Sequence, residues 1–169
     1  MGSGPGYGGV RMMSSLMLQT AAQDEGIEMC SVRVGQTFYG IPVTRILEIL
    51  GKTAKQPVPL APIYIGGLVH YRGEVLTAIS LRRLLDMPAH DASEDILVFE
   101  GADGYFGLLV DEVGEVMTVQ PADFEGNPST LDDRRKALFN GTYKLSNALL
   151  VVLDPQRLDP VRLAEAASS

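Results

Sequence analysis

The sequence predicts an all-β domain with short helices, built as a barrel or a sandwich. Its apolar runs are short and rich in β-branched residues, and they recur with turn residues between them at the spacing typical of such folds. The composition includes 18 glycines and 10 prolines, which favours a fold with many turns. A chain of 169 residues is long enough for one ordinary domain or for two small units that share a core.

About ten short strands are predicted, and turn signals separate several of them. Gly35-Gln36, Arg72-Gly73 and Asp103-Gly104 are turn signals between pairs of apolar runs. Nine segments carry the clearest pattern: 29–34, 37–43, 68–71, 74–79, 95–100, 105–110, 113–119, 137–145 and 148–154. Segment 57–67 is stiffened by prolines, and because proline lacks a backbone donor this segment is excluded as a central strand.

Helical pattern appears in three places. Segment 81–85 has room for one or two turns, and segment 130–136 reads as a polar helix with Ser129 or Thr130 as its N-cap. Segment 155–167 is the best candidate, with Asp154 as its cap and a proline at the first helical position. A second proline, Pro160, lies inside that segment and predicts a break or a restart.

The ends of the chain are predicted to lie outside the folded domain. Five glycines within residues 1–9 indicate a flexible leader over residues 1–26, part of it an expression scar. We therefore expect one domain over residues 27–160, made of two β-barrel units, followed by a helix end or tail over residues 161–169.

A weak internal repeat supports two similar units. Residues 38–43 align with 105–110 at an offset of 67, and this register pairs Glu48 with Glu115. A second block aligns 75–79 with 149–153 at an offset of 74. The alternative is coincidence, because unrelated β-hairpins also share a glycine and alternating aliphatic residues.

Charge and cysteine content exclude several classes of function. The chain has 14 basic and 21 acidic residues, a net charge of −7, which argues against binding nucleic acid or an anionic membrane surface. Its single cysteine, Cys30, cannot form an intramolecular disulfide or a C-x-x-C site, and it reads as a buried small hydrophobe. With only His70 and His90 besides, a structural zinc site is not expected, nor is any other metal or cofactor. No apolar run reaches the length of a membrane-spanning helix, so we expect a cytoplasmic protein.

The polar residues do not suggest catalysis. Asp111, Glu112 and Glu115 form the densest acidic cluster, but consecutive strand residues point to opposite faces, so a solvated rim is the favoured interpretation. We find no nucleophile elbow and no phosphate-binding loop. An enzyme or small-ligand binder that uses Asp111, Glu112 and His70 stays as the alternative, and it requires these side chains to converge around a pocket.

An apolar docking surface is the better hypothesis. The proline-stiffened segment leads into Arg72-Gly73 at a hairpin tip. An arginine there can form a forked hydrogen bond with a partner, and arginine is frequent at interface hot spots. The alternative is an ordinary surface arginine beside a turn glycine.

An ordered set of short motifs along the chain resembles the CheW-like chemotaxis adaptor domain. The motifs are Y-G-I-P-V at 39–43, I-L-E-I at 46–49, V-P at 58–59, A-P-I-Y-I-G-G-L at 61–68, R-G-E-V-L at 72–76, L-R at 81–82, G-L-L-V-D-E-V-G-E-V at 107–116, N-G-T at 140–142 and L-V-V-L at 150–153. The resemblance covers roughly residues 28–160. It implies two five-stranded SH3-like β-barrels around a shared hydrophobic core, and no catalytic activity.

The resemblance also implies partners and contact residues. Family members couple the cytoplasmic tips of chemoreceptors to the histidine kinase CheA. Arg72, with Gly73, matches the signature arginine of the family, and Glu48 matches an acid on the receptor side. Val110, Val113 and Val116 match aliphatic residues near the groove for the receptor tip. The expected surface for the regulatory domain of the kinase consists of Ile41, Val43, Ile46, Val69 and Tyr71.

The sequence departs from the family at a few positions. Thr77 and Ser80 stand where the family usually has Pro and Asp, and His70 stands where Asn is frequent. An adaptor of another chemosensory pathway, such as surface motility, is therefore an alternative. In either case the protein is expected to join membrane-bound receptor arrays without inserting into the membrane.

Overall fold

The computed structural model describes residues 26–88 and 92–168, and this part of the chain is mostly β-structure. Its strands are β1 (Ile27–Val34), β2 (Thr37–Pro42), β3 (Glu48–Leu50), β4 (Ile65–Tyr71), β5 (Glu74–Ser80), β6 (Asp95–Gly101), β7 (Gly104–Val110), β8 (Glu112–Val119), β9 (Phe124–Glu125), β10 (Phe139–Lys144) and β11 (Leu149–Leu153). The helices are α1 (Leu81–Leu84), α2 (Asp133–Leu138) and α3 (Pro160–Ser168), with short 3-10 turns at Val43–Arg45, Pro121–Asp123 and Pro155–Leu158.

The strands form two sheets. The first has the order β9-β10-β11-β2-β1-β8 and the second has the order β3-β6-β7-β5-β4. Pairing is antiparallel except for two parallel pairs, β11 with β2 and β5 with β7. The predicted all-β class with two β-units is therefore confirmed, although the backbone ladders leave each barrel open between its edge strands.

The internal repeat is visible in the register of the parallel pairs. Thr77 of β5 lies opposite Phe106 of β7, and Val151 of β11 lies opposite Tyr39 of β2. The offset of 74 relates Thr77 to Val151, and the offset of 67 relates Tyr39 to Phe106, so the two pairs occupy equivalent positions in the repeat. Each sheet takes its hairpin from one repeat and its closing strands from the other, because β3–β5 join the β6–β7 hairpin while β8–β11 join the β1–β2 hairpin.

The apolar side chains divide into three clusters that explain this exchange. One cluster lies between the sheets and includes Val32, Ile41, Leu108 and Leu153. The inner face of the second sheet encloses Val69, Tyr71, Leu76, Ala78, Ile96, Val98 and Leu109. The inner face of the first sheet encloses Met29, Val119, Tyr143, Leu150 and Val152. Alternate residues of a strand thus face the shared core and the core of their own barrel.

Most predicted elements are present within a few residues of their predicted ends. Ser80 caps α1, and Asp154 caps the 3-10 turn that begins at Pro155, after which α3 begins at Pro160 as the second proline predicted. The prediction for the polar helix is wrong at its start: α2 begins at Asp133, because the carboxylate of Asp132 accepts the backbone N–H of Arg135. The short strands β3 and β9 were not expected from the apolar pattern. The leader up to residue 25 and His90 lie outside the described residues.

Candidate docking site

An open apolar groove separates the two sheets and forms the first part of the site. It has a volume of about 260 Å³ and is lined by Cys30, Val43, Ile46, Leu47, Glu48, Ile49 and Val116. Cys30 and Val116 are paired in neighbouring strands of the first sheet, whereas residues 47–49 belong to the second sheet or lead into it. We call this feature the docking groove. Leu47, Ile49 and Val116 are 50%, 47% and 55% exposed, so its rim offers apolar surface to a partner.

A polar triad adjoins the docking groove. Glu48 Oε1 accepts a hydrogen bond from the Tyr71 hydroxyl at 2.9 Å and forms an ion pair with Arg72 Nη2 at 3.1 Å. Glu48 begins β3 and Tyr71 ends β4, and these are the two edge strands of the second sheet. The triad therefore joins the edges of the sheet through side chains, at the point where no ladder joins them.

The backbone of the hairpin directs Arg72 toward this triad. Arg72 has φ 51° and Gly73 has φ 78°, both in the left-handed region. A two-residue turn with two positive φ values matches the twist of a β-hairpin, and Tyr71 pairs with Glu74 across it. Arginine is uncommon at positive φ, so the fold accepts local strain to hold this side chain at the tip.

Aromatic contacts and burial fix the centre of the triad. The Tyr71 ring makes an edge-to-face contact with Tyr105 at 5.2 Å, and the Arg72 guanidinium lies 5.4 Å from the Tyr71 ring centre. Burial raises the pKa of Tyr71, and the hydrogen bond to Glu48 raises it further, since an ionised phenol would face a carboxylate. The phenol therefore stays a donor, and Arg72 remains 68% exposed above it.

Seven of the eleven predicted contact residues meet in this region. Val43, Ile46, Glu48 and Val116 line the docking groove, and Tyr71, Arg72 and Gly73 adjoin it through the triad. Val113 is partly buried and packs against the core between the sheets.

The other three predicted residues are buried. Ile41, Val69 and Val110 are 0%, 1% and 0% exposed, so their side chains support the surface from beneath and reach no partner in this conformation. Sequence reasoning missed Leu47 and Ile49 as groove residues. The signal was present in the run Ile46-Leu47-Glu48-Ile49, where apolar side chains flank the acid on a strand of only three residues.

The expectation of a solvated rim at the acidic cluster is wrong for Asp111. This residue is 8% exposed, and its carboxylate accepts two hydrogen bonds from Arg82, both at 2.9 Å. The same carboxylate accepts the backbone N–H of Gly35 at 2.8 Å. Asp111 connects β7 of the second sheet to β8 of the first, so these bonds fasten the point where the chain crosses between sheets. Glu112 matches the expectation, because it is exposed and pairs with Arg33.

The convergence that an acid–base site requires is not found. His70 pairs with Val75 of β5, and Thr77 of the same strand pairs with Phe106 of the parallel strand β7. Two residues back along this register, Val75 and therefore His70 are level with residue 104. Asp111 lies seven residues beyond that level, which is about 23 Å at the rise of a strand. Within residues 26–88 and 92–168, no group of three or more His, Cys, Asp or Glu side chains is arranged to hold a metal ion.

Comparison with known proteins agrees with the fold. The family model of the CheW-like domain matches residues 28–160. The chain is 28% identical to the chemotaxis protein CheW of Rhizobium meliloti over 84% of its own length and 93% of the relative. It is also 28% identical to the chemotaxis protein CheW of Bacillus subtilis over 80% of its length and 88% of the relative. The structure of the scaffolding protein TtCheW from Thermoanaerobacter tengcongensis superposes with a TM-score of 0.70 at 21% identity, covering 79% of this chain and 92% of that one.

The chain belongs to the CheW-like domain family. The predicted family and the predicted class, a chemotaxis adaptor of the CheW type, are therefore confirmed. None of the helices in the described residues is long and apolar enough to cross a membrane.

Proposed function

We propose that this protein couples the cytoplasmic tips of chemoreceptors to the histidine kinase CheA and catalyses no reaction itself. In this proposal the receptor tip binds in the docking groove, so Val43 and Ile46, which the resemblance assigns to the kinase surface, face the receptor instead. The regulatory domain of the kinase binds at the end of the second barrel that carries Tyr71 and Arg72. The complex forms at the cytoplasmic face of membrane-bound receptor arrays. Membership of the CheW-like family and the relatives named as chemotaxis proteins support this assignment.

The position of Glu48 is the observation that carries the proposal. Glu48 lines the docking groove and also receives the contacts of Tyr71 and Arg72, so one side chain belongs to both surfaces. A ligand that moves Glu48 in the groove alters the ion pair that orients Arg72. The two partners are thereby linked through contacts of 2.9 and 3.1 Å, without any large movement of the fold.

The docking groove suits an amphipathic helix. Its rim is apolar on both sides, from Leu47 and Ile49 on one and Val116 on the other. A helix that places two or three apolar side chains between these walls buries them while its polar face stays in water. The receptor tip supplies such a helix in this proposal.

The Arg72 end suits a polar partner surface. The observed ion pair involves one terminal nitrogen, and the Arg72 side chain as a whole remains largely exposed. A guanidinium has five N–H donors in a fixed fork, so it can pair with Glu48 and still bind a backbone carbonyl or a carboxylate of the kinase.

The test is a reconstituted assay of receptor-stimulated kinase activity with two variants and a control. Arg72→Asn removes the guanidinium while asparagine tolerates the left-handed backbone at this position. We expect about a tenfold or larger loss in apparent affinity for the kinase, as for a hot-spot arginine. Val116→Asp places a charge on the groove rim and is expected to weaken receptor binding while binding of the kinase alone is retained.

Lys144→Asn is the matched control. Lys144 forms an exposed ion pair with Glu125 at 2.8 Å on the first sheet, away from both surfaces. It should behave as wild type. If Arg72→Asn and Lys144→Asn stimulate the kinase equally, Arg72 has no role in assembly. Capture of the bound kinase and its identification by mass spectrometry distinguishes CheA of a flagellar pathway from the kinase of another chemosensory pathway.

A further inference from the structure

The two walls of the docking groove belong to different sheets, and one chain of polar contacts joins them. We infer that Lys52 and Asp95 are positioning residues that hold these walls at the separation a receptor helix requires. This inference rests on the proposed function for its biological meaning. The geometry behind it is independent of any partner.

The link is continuous from one wall to the other. Lys52 follows β3 by two residues, and its Nζ lies 3.1 Å from Asp95 Oδ1. The second oxygen of the same carboxylate, Oδ2, accepts the backbone N–H of Val113 in β8 at 2.9 Å. Lys52 Nζ also donates to the backbone oxygen of Asp111 at 3.1 Å, immediately before β8 begins. Asp95 thus bridges the segment after β3 and the strand that carries Val116.

The wall formed by β3 needs such a link. This strand has three residues, is an edge strand and has β6 as its one neighbour in the sheet. The residues that follow it, 51–64, form no strand and include the proline-rich segment. A short edge strand followed by a loop opens at low free-energy cost, unless side chains fasten its end. The Asp95 side chain is 15% exposed, so its contacts are partly shielded from water and from salt.

A neighbouring ion pair provides a matched control. Lys55 Nζ lies 2.9 Å from Glu94 Oε1, three residues along the same loop and one residue before Asp95. It is equally an ammonium–carboxylate pair and is no more exposed. Its contact joins the same loop to residue 94, just before β6, and it has no bond to β8 like that from Asp95 to the Val113 N–H. Loss of this pair removes the same charge without releasing β8.

The chain contains its own reporter of wall separation. Cys30 is the single cysteine, lies on the floor of the docking groove and is 1% exposed. Burial raises the pKa of its thiol, so alkylation is slow while the walls keep the observed separation. Any separation of the walls admits reagent to the sulfur.

The experiment measures the rate at which iodoacetamide alkylates Cys30 in the free, full-length protein. We expect Lys52→Met to react about two- to fivefold faster than wild type, the factor that an ion pair of this exposure contributes. Lys52→Arg should restore the wild-type rate, and Lys55→Met should equal wild type. The rate increase should be nearly independent of low urea concentrations, because a local opening exposes little surface whereas global unfolding exposes much.

Two results overturn the inference. Equal rates for Lys52→Met and Lys55→Met contradict it, because either both equal wild type and the Lys52 contacts do not hold the walls, or both are faster and charge loss in the loop is the cause. A strong urea dependence of the added rate means that Lys52→Met destabilises the whole domain. Failure of the proposed function gives a different result. Faster alkylation of Lys52→Met with unchanged receptor-stimulated kinase activity would mean that Lys52 and Asp95 position the walls but that the receptor does not bind in the groove.

Discussion

The two barrels are related by the internal repeat, yet their open ends differ. In the second barrel Glu48 on edge strand β3 meets Tyr71 and Arg72 at the tip of the β4–β5 hairpin. The repeat places Glu115 of β8 at the position of Glu48, and Leu145 and Ser146 of the β10–β11 hairpin at the positions of Tyr71 and Arg72. The first barrel thus has the acid but neither the phenol nor the guanidinium that binds it.

The consequence is one closed end and one open end. In the first barrel the corresponding region is an open pocket of about 460 Å³. Its lining consists of Ser31, Phe38, Gly114, Glu115, Met117, Leu145, Asn147, Ala148 and Leu150. The ionic end of the second barrel is thus replaced in the first by a mainly apolar, accessible one, where Leu145, Ser146 and Asn147 stand for Tyr71, Arg72 and Gly73 and the turn lacks the positive φ values of Arg72 and Gly73. Equivalent positions of a duplicated fold can present surfaces that suit different partners.

The largest expected effect comes from truncating the core leucine that occupies the same repeat position in each barrel, which tests whether one end is closed and the other open. Leu76 is 1% exposed in the second barrel, and its repeat equivalent Leu150 is 0% exposed in the first. Either leucine-to-alanine change should cost about 2–5 kcal/mol in the free energy of unfolding. Leu76→Ala should cost more, because its cavity is enclosed whereas that of Leu150→Ala opens into the pocket. Urea unfolding measures both, and an equal or larger cost for Leu150→Ala would show that the first barrel is sealed as well.

Removal of the Tyr71 hydroxyl tests how much the polar triad stabilises the closed end of the second barrel, and its expected effect is smaller. Tyr71→Phe keeps the ring contacts and removes the hydrogen bond to Glu48. We expect a loss of about 1 kcal/mol in the free energy of unfolding. Tyr143→Phe is the control in the first barrel, where the contact of the ring is with Phe124.

The pH dependence of that difference has a defined sign. The pKa of Tyr71 is higher in the folded protein than in the unfolded chain. The contribution of the Tyr71 hydroxyl to the free energy of unfolding is therefore complete below the ordinary tyrosine pKa of about 10. It declines as the pH rises through the pKa that Tyr71 has in the folded protein. The stability advantage of wild type over Tyr71→Phe should be constant near neutral pH and shrink in the alkaline range. An advantage that grows above pH 10 would contradict the assigned hydrogen bond.

Much of the fold is predictable from the sequence because its strands are local patterns of alternation. The paired hairpins, the repeat and the restart at Pro160 all follow from short-range signals. Strand exchange between the repeats is not local: the short patterns of β3 and β8 are compatible with pairing to either hairpin, so periodicity cannot show which sheet receives these strands. Burial of Asp111 was missed for the same reason, since Arg82 is 29 positions away in the chain.

The site shows the same division between local and long-range information. Motif positions predicted Glu48, Arg72 and Val116, and the structure brings Glu48 to both others. Ile41 and Val110 lie on the faces of β2 and β7 that pack into the shared core. Val69 lies on the face of β4 that packs into the core of the second barrel, whereas His70 on the opposite face is exposed. Ile41, Val69 and Val110 are buried for this reason. Alternation shows that a strand has two faces, and only the tertiary arrangement shows which of them is covered.

The smallest expected effect comes from placing an arginine in the first barrel at the repeat position of Arg72. Ser146 is exposed, and its turn is closed by the hydrogen bond from Leu145 N–H to the Ala148 oxygen. Ser146→Arg tests whether a guanidinium on this turn, which lacks the positive φ of Arg72, can pair with Glu115 as Arg72 pairs with Glu48. We expect a change of about 0.5 kcal/mol or less in the free energy of unfolding, because the new pair is exposed, and the gain should vanish in high salt. Ser146→Gln is the uncharged control, and an equal stability of the two variants at low salt would show that Glu115 does not reach the hairpin. The salt-dependent difference between these variants measures how much of the closure in the second barrel comes from the ion pair alone, without the Tyr71 hydroxyl.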